Sequence, residues 1–336
     1  MPLEEALMLT RRTVLAGAAT LGLAPAAQAA DRYAAALARA WGGPLDPRAA
    51  HGLAMREVQR LQARLVVRLQ LQGVSPGAST VRLRKAFALE RFLYADDDAG
   101  RDRAVADMNA ALAALRPRLS TAFAGEVPPT EVRRMSSEDE AKGRGGYREP
   151  GAYYVDLKAI RERPSWTLAT VAFHETVPGH ALQSAQLAPA PPPERQRHAG
   201  VFSEAWATYA EQLAADLGAY EADPMGEIGQ LHWRLFRMAR VVVDTGQGAL
   251  GWSLDEATAR LIEMQAHAIA FVTMEADAAR MRREPGVFAA QGLGALEIAR
   301  LRPRRREDWP AFHAAILADG PWPCAMLETK VRKGSV

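Results

Sequence analysis

The feature that most constrains this chain is a proline set inside a helical run. In FHETVPGHALQ, residues 173–183, Pro178 stands four positions after His174, where its backbone nitrogen would have bonded the His174 carbonyl. Proline removes that bond and its ring clashes with the same turn, so a helix entering from upstream must end, kink or bulge here. Gly179 then supplies dihedrals open to few other residues, and the chain can turn back at once. The break matters because His174 and His180, six residues apart, flank it. On an unbroken helix six residues rotate a side chain by about 240° and carry it about 9 Å along the axis. The two imidazoles would face different directions; the Pro-Gly interruption is what lets them meet.

The rest of the chain predicts a mainly α fold with few short strands. From Asp31 to about Arg118 come YAAALARAW, AAHGLAMREVQRLQARLVVRLQLQG, TVRLRKAFALERFLYA and RAVADMNAALAALRPRL. In the second of these Leu53, Val58, Leu61, Leu65 and Leu69 recur near the helical period, and Gly73 supplies a stop. Between about Phe123 and Tyr154, GEVPPTEVRRMSSEDEAKGRGGYREPGAYYV is dense in glycine, proline and charge. It reads as a linker or the rim of a site, with short strand-like pieces at most. Helices resume after Pro164, with Ser165 as the expected N-cap of WTLATVAFHE. A proline-rich loop, APAPPPERQ, precedes VFSEAWATYAEQLAADLG. The expected organisation is an N-terminal helical region, 30–145, and a second region, 146–336, that carries the broken motif and packs on it.

Composition narrows the function classes. With 336 residues, 49% hydrophobic and 24% charged, the chain is globular rather than disordered or fibrous. A net charge of +3, arginines offset by nearly as many carboxylates, gives no footing for nucleic acid. The basic run RLRPRRRE, Arg300 to Glu307, reads as a solvated, proline-interrupted turn. At the N-terminus LTRRTVLAGAATLGLAPAAQAA combines an arginine pair, a short apolar run and a small-residue site at Ala27, Gln28 and Ala29. This is a twin-arginine-type signal peptide, expected over 1–29. Its apolar run is broken by Gly17, Gly22 and Pro25 and is too short for a stable membrane span. The mature chain is expected to begin near Ala30 and to be periplasmic or secreted. One cysteine, Cys324, excludes an intramolecular disulfide and reads as a packed residue.

A histidine followed at once by glutamate, with a second histidine nearby, opens many zinc hydrolase sites; there the glutamate serves as general base. Such a site needs a third protein ligand, leaving one position for water. The candidate segment is VFSEAWATYAEQLAADLG. On a helical wheel Phe202, Trp206, Tyr209, Leu213 and Leu217 form one apolar stripe, and Glu204, Thr208 and Glu211 fall opposite. Either the helix is half-buried with a wet acidic face, or it is packed on both sides with Glu204 or Glu211 aimed at a metal. Periodicity does not choose between them. His198, His232, His267 and His313 read as ordinary surface or core histidines.

HETVPGHALQ, SEAWATYAEQLA and RVVVDTGQGALGWSLDEA, taken together, resemble the bacterial family known only as domain of unknown function 885, grouped with gluzincin-like zinc metallopeptidases. HGLAMREVQRL, REPGAYYVDL, EPGVFAAQGLGALEIARLR and FHAAILADGPWP extend the likeness over roughly residues 47–330, shortened at the N-terminus. The resemblance implies a gluzincin-like helical scaffold, with His174, His180 and Glu204 as ligands of Zn2+ and Glu175 as general base. It also implies hydrolysis of a peptide or amide substrate by a metal-activated water. Two histidines and one carboxylate accept other divalent metals as well. Glu211, about two turns beyond Glu204, is placed either to orient a ligand histidine or to lie on the surface. Tyr209, Arg240, Gln291, Tyr153 and Tyr154 are candidates to hold substrate. The family pattern has a histidine at Gly248 and Tyr-Lys at Gln291 and Gly292. Those departures leave room for a catalytically weakened member that keeps the metal for structure or binds peptides without efficient turnover. A third reading is a helical binding module in which the motif is accidental. Oligomeric state is not written in the sequence.

Overall fold

The structure is a computed structural model that describes residues 27–186, 191–266 and 272–334. The twin-arginine stretch through residue 26 and His267 lie outside the described residues. The first half holds α1 (residues 27–41), α2 (Pro47–Leu71), α3 (Ser79–Phe87), α4 (Asp98–Leu115) and the single turn α5 (Ser137–Ala141). The second holds α6 (Leu168–Glu175), α7 (His180–Gln186), α8 (Pro193–Gln196), α9 (Ala199–Asp216) and α10 (Pro224–Ala249). It closes with α11 (Leu254–Gln265), α12 (Met274–Arg283), α13 (Val287–Leu301), α14 (Trp309–Leu317) and α15 (Leu327–Gly334). The chain is mainly helical, as the patterning predicts.

α2 starts where Asp46 accepts from the Arg48 backbone N–H at 2.9 Å and Pro47 takes the first helical position. Its buried stripe is Ala50, Ala54, Val58, Leu61, Leu65 and Leu69. Leu53, which the sequence places on that stripe, is instead 43% exposed. The stripe closes on the small residues Ala50 and Ala54, and these let α2 lie close along α10. α10 is buried nearly all round, packed by α2, α13, α11, α12 and α6, so it forms the axis of the molecule. α9 and α13 pack on each other beside it.

The segment expected to be linker or rim folds into a small three-stranded sheet. Its strands are β1 (Glu131–Arg134), β2 (Tyr147–Glu149) and β3 (Ala152–Val155), in the order β1-β3-β2. β1 runs parallel to β3 with Val132 opposite Tyr153, and β2 runs antiparallel to β3 with Arg148 opposite Tyr153. The Asn109 amide on α4 donates to the Val132 carbonyl and accepts from its N–H, both at 2.8 Å. That pair satisfies an edge that would otherwise be open. Ser165 does not cap the motif helix as expected. It opens a 3-10 turn, Ser165–Thr167, and the Thr167 hydroxyl donates to the Pro164 carbonyl at 2.7 Å. α6 then begins at Leu168.

One apolar core runs from Tyr33 to Leu327 and includes Cys324, whose thiol burial pushes up to about 12. Within it His313 is fully buried and bridges two elements. Its Nδ1–H donates to the Ala122 carbonyl at 2.7 Å, and Nε2 accepts from the Tyr209 hydroxyl at 2.6 Å. That pairing requires the neutral ring. Burial, aided by the Arg302 charge and opposed by the Ala122 hydrogen bond, lowers the His313 pKa from 6.5 to about 4. Above pH 6.5 both folded and unfolded chains carry it neutral. As pH falls from 6.5 to 4 the unfolded chain binds the proton first, so stability declines, by roughly 3 kcal/mol over the window. Denaturant melts of wild type and His313→Gln between pH 7.5 and 4.5 should converge as pH falls; parallel curves would refute a neutral buried His313.

Candidate metal centre

The break required by Pro178 has a definite shape. α6 closes as the Thr176 N–H reaches the Ala172 carbonyl at 2.9 Å, and its hydroxyl donates to the same carbonyl at 2.6 Å. The chain then loops out and returns, with the Gly179 N–H on the Phe173 carbonyl at 3.0 Å and the Ala181 N–H on the Thr176 carbonyl at 2.9 Å. α7 starts at His180. Gly179 is required by crowding: a Cβ there would stand 2.0 Å from the His174 carbonyl oxygen and 2.5 Å from that of Phe173. From α9 the Trp206 indole N–H clamps the loop, lying 3.0 Å from the Pro178 carbonyl and 3.3 Å from that of Gly179. His174 and His180 end edge to face, ring centroids 4.8 Å apart at 89°.

α9 is packed on both sides. Phe202, Trp206, Tyr209 and Leu213 are buried, and so is Glu211. The two glutamates face different nitrogens. Glu204 approaches the His174 Nε2 at 3.6 Å and the His180 Nε2 at 3.4 Å. Facing atoms of His174, His180 and Glu204 all lie within 4.8 Å of one another. Glu211 sits behind, accepting from His174 Nδ1 at 2.8 Å.

Hydrogen bonding fixes the tautomers. Ser203 donates its hydroxyl to Gln183 Oε1 at 2.7 Å, so it accepts from His180 Nδ1 at 2.9 Å. With that proton on Nδ1, the His180 Nε2 keeps its lone pair, and this buried atom has no hydrogen-bond partner. Two imidazoles held from behind by oxygen acceptors, their other nitrogens turned toward a carboxylate, make the donor set a divalent ion such as zinc takes. The residues present therefore fit a metal.

The electrostatics agree. Burial and the Arg237 charge push the His174 pKa down, but hydrogen bonds to Glu204 and Glu211 prevail and raise it to about 9. Burial would raise the Glu204 carboxyl; the close approach of the His174 and His180 imidazoles and the Arg237 charge instead hold it well below the usual range. His180 is lowered, chiefly by burial. Two carboxylates converging on buried imidazoles form an anionic centre that favours a positive charge.

A residue the sequence reading passed over supplies one. Arg237 on α10 places Nη2 3.3 Å from His174 Nε2 and 3.5 Å from Glu211, with Nη1 3.9 Å from Glu204. Arg234, Arg237 and Arg240 follow one another at intervals of three and fan out from the helix. Arg234 pairs with Glu57 of α2 at 2.9 Å, Arg237 meets the centre, and Arg240 is bound by both oxygens of Asp277 on α12. The arginine spacing was visible; which one faces α6 was not.

A cleft of about 470 Å3 opens over the centre. His174, Glu175, Glu204, Arg237, Arg240 and Gln291 line it, with Gly143, Gly145, Gly146 and Tyr153 forming the rim expected of that segment. Glu175 points into the cleft and is ion-paired by Arg148 of β2. Tyr154 stacks on Tyr147 and receives a hydrogen bond from Arg133, away from the cleft lining. Tyr209 is spent in the core on His313. Gly248 lies against Tyr33 of α1, where a Cβ would meet the ring at 1.9 Å. Gly292 packs on Val241. Of Gly248, Gln291 and Gly292, Gln291 is the one that lines the cleft.

A family model described as bacterial protein of unknown function (DUF885) matches residues 5–331. Among curated proteins the sequence finds no match. The fold is similar to the crystal structure of a candidate lipoprotein from Colwellia psychrerythraea, with TM-score 0.79 and 29% identity, covering 90% of this chain and 54% of that one. A candidate lipoprotein of unknown function from Shewanella oneidensis shares the fold at TM-score 0.70 and 17% identity, over 89% of this chain and 59% of that one. The chain thus spans little more than half the length of either.

Proposed function

Because the chain belongs to the bacterial DUF885 family, whose function is open, we propose from the site itself that it is a metal-dependent amide hydrolase acting on peptides. The carrying observation is the His180 Nε2, buried without a hydrogen bond and 3.4 Å from Glu204, while the Nδ1 of both histidines is engaged. The order of the donors along the chain, His-Glu before the break, His after it and Glu on the following helix, supports a gluzincin-like reading. When bound among His174, His180 and Glu204, Zn2+ supplies Lewis acidity, acidifying water and polarising a carbonyl. Glu175, in the cleft but outside the triad, takes the proton of the attacking water and hands it to the leaving amine. Arg148 holds that carboxylate against the cleft wall. Arg237 places a fixed positive charge beside the centre, suited to the oxyanion that forms as the amide is attacked.

An address in the cell envelope is part of this proposal. It rests on one structural neighbour, 29% identical and described as a candidate lipoprotein. The weakened-enzyme reading rests on the resemblance alone, which implies a histidine at Gly248 and Tyr-Lys at Gln291 and Gly292.

Metal analysis separates the readings. The purified chain is expected to hold about one zinc per molecule and to cleave peptides in a chelator-sensitive way. A ligand bound at 1,000 times its Kd stabilises by about 4 kcal/mol, so chelation should lower the melting temperature and added Zn2+ should restore it. Metal without turnover would favour a structural or binding role. A melting temperature indifferent to chelator would remove the metal reading altogether.

A further inference from the structure

The structure assigns a second task to the cleft: Arg163 is a built receptor for a carboxylate of the substrate, an inference that rests on the hydrolase reading. Arg163 is 8% exposed and lines the same cavity as His174 and Glu175. Its Nε is buried without a partner, and its guanidinium makes no ion pair among the described residues. The other arginines on this cavity each have a carboxylate: Arg237 has Glu204 and Glu211, Arg240 has Asp277, and Arg280 has Glu284 at 3.1 Å. Asp156 also lines the cavity; its Oδ1 accepts from the Lys158 backbone N–H at 3.0 Å, and it forms no ion pair with Arg163 among the described residues.

A guanidinium cannot shed its proton at any ordinary pH, so burial does not neutralise it as it would a lysine. A buried charge without a counter-charge is strongly unfavourable. Such a residue fits a site completed from outside, by an anion that enters the cleft. The planar fork of donors matches a carboxylate through two parallel hydrogen bonds. The backbone also suits a fixed receptor. Arg163 closes the 3-10 turn Ile160–Glu162, is followed by Pro164, and stands five residues ahead of α6, which carries His174 and Glu175. A peptide offers a carboxylate at its C-terminus or on an aspartate or glutamate side chain, and both have the chemistry Arg163 would recognise.

The test uses the full chain loaded with Zn2+ in a Glu175→Gln background, so that peptide is bound and not consumed. Calorimetry compares trialanine with trialanine amide, and a blocked tripeptide carrying a central aspartate with its asparagine counterpart. One carboxylate peptide is expected to bind about 10- to 100-fold tighter than its amide. Adding Arg163→Gln should erase that difference and leave the amide peptide unchanged; the pair that responds names the source of the carboxylate. Equal binding within both pairs, no binding of any peptide, or a preference that survives Arg163→Gln would overturn the proposal.

Two further results keep it distinct from the reading it rests on. Turnover of acids and amides alike by the Glu175-intact protein would leave the hydrolase standing and remove the receptor. Arg163-dependent binding without turnover would do the reverse. As a folding control, Arg163→Gln and Arg163→Met should melt at or above the parent temperature, because a buried unpaired charge is removed. A clear loss of melting temperature would show Arg163 to be paired within the fold and would also overturn the assignment.

Discussion

Replacing Glu175 by glutamine is expected to lower peptide turnover by about 100- to 10,000-fold while leaving the zinc content unchanged. The two halves of that result come from different parts of the geometry. Metal retention follows because the triad that can hold an ion is His174, His180 and Glu204, and Glu175 is not in it. Loss of turnover follows because glutamine keeps the shape of the side chain and its contact with Arg148 but cannot accept the water's proton. Glu204→Gln should behave oppositely, losing the ion itself. Elemental analysis and a turnover assay on the same preparations read both. Retained turnover with glutamine at 175 would move the general base elsewhere; loss of metal would make Glu175 a ligand.

Gly179→Ala should weaken metal affinity by at least about 100-fold, a loss at the upper end of what removing a supporting residue costs. The new methyl would fall 2.0 Å from the His174 carbonyl oxygen, backbone against backbone, with no flexible side chain to move aside. Either the loop shifts and carries His180 away from Glu204, or the end of α6 shifts and carries His174. Overpacking of this kind costs roughly 1–3 kcal/mol in stability. The informative comparison is metal affinity against the melting temperature of the chelated protein. If affinity falls far more than stability, the loop serves the centre. An alanine at 179 with wild-type affinity would mean that the Pro-Gly excursion does not set the histidine geometry.

The helices were legible because apolar periodicity, Asp46-Pro47 at one start and Pro178 at one break are local signals. Leu53 and Ser165 were misplaced for a related reason. Each satisfied a local rule, spacing in one case and capping chemistry in the other; Leu53 was overruled by the close packing of α2 on α10, and Ser165 by the 3-10 turn that Thr167 closes on Pro164. At the centre, both histidines were readable from the broken motif. The choice between Glu204 and Glu211 was not, since both lie on one face of α9 and differ only in which imidazole nitrogen they meet. Arg237 was missed because Arg234, Arg237 and Arg240 look alike until Glu57 and Asp277 are known to occupy the outer two. Arg163 carries no motif at all. Its interest lies in a missing partner, which no sequence displays.

The Tyr33 ring over Gly248 limits how this chain can be engineered. A histidine placed at position 248, as the resemblance implies, would need room now filled by that ring, and its first consequence would be mechanical: α1 would be levered off α10. The graft would have to be paired with a smaller residue at position 33 before any gain in rate could be read from it. A side chain at position 248 and the N-terminal helix are therefore alternatives for one volume, and a variant library that changes either alone will report disruption in place of catalysis.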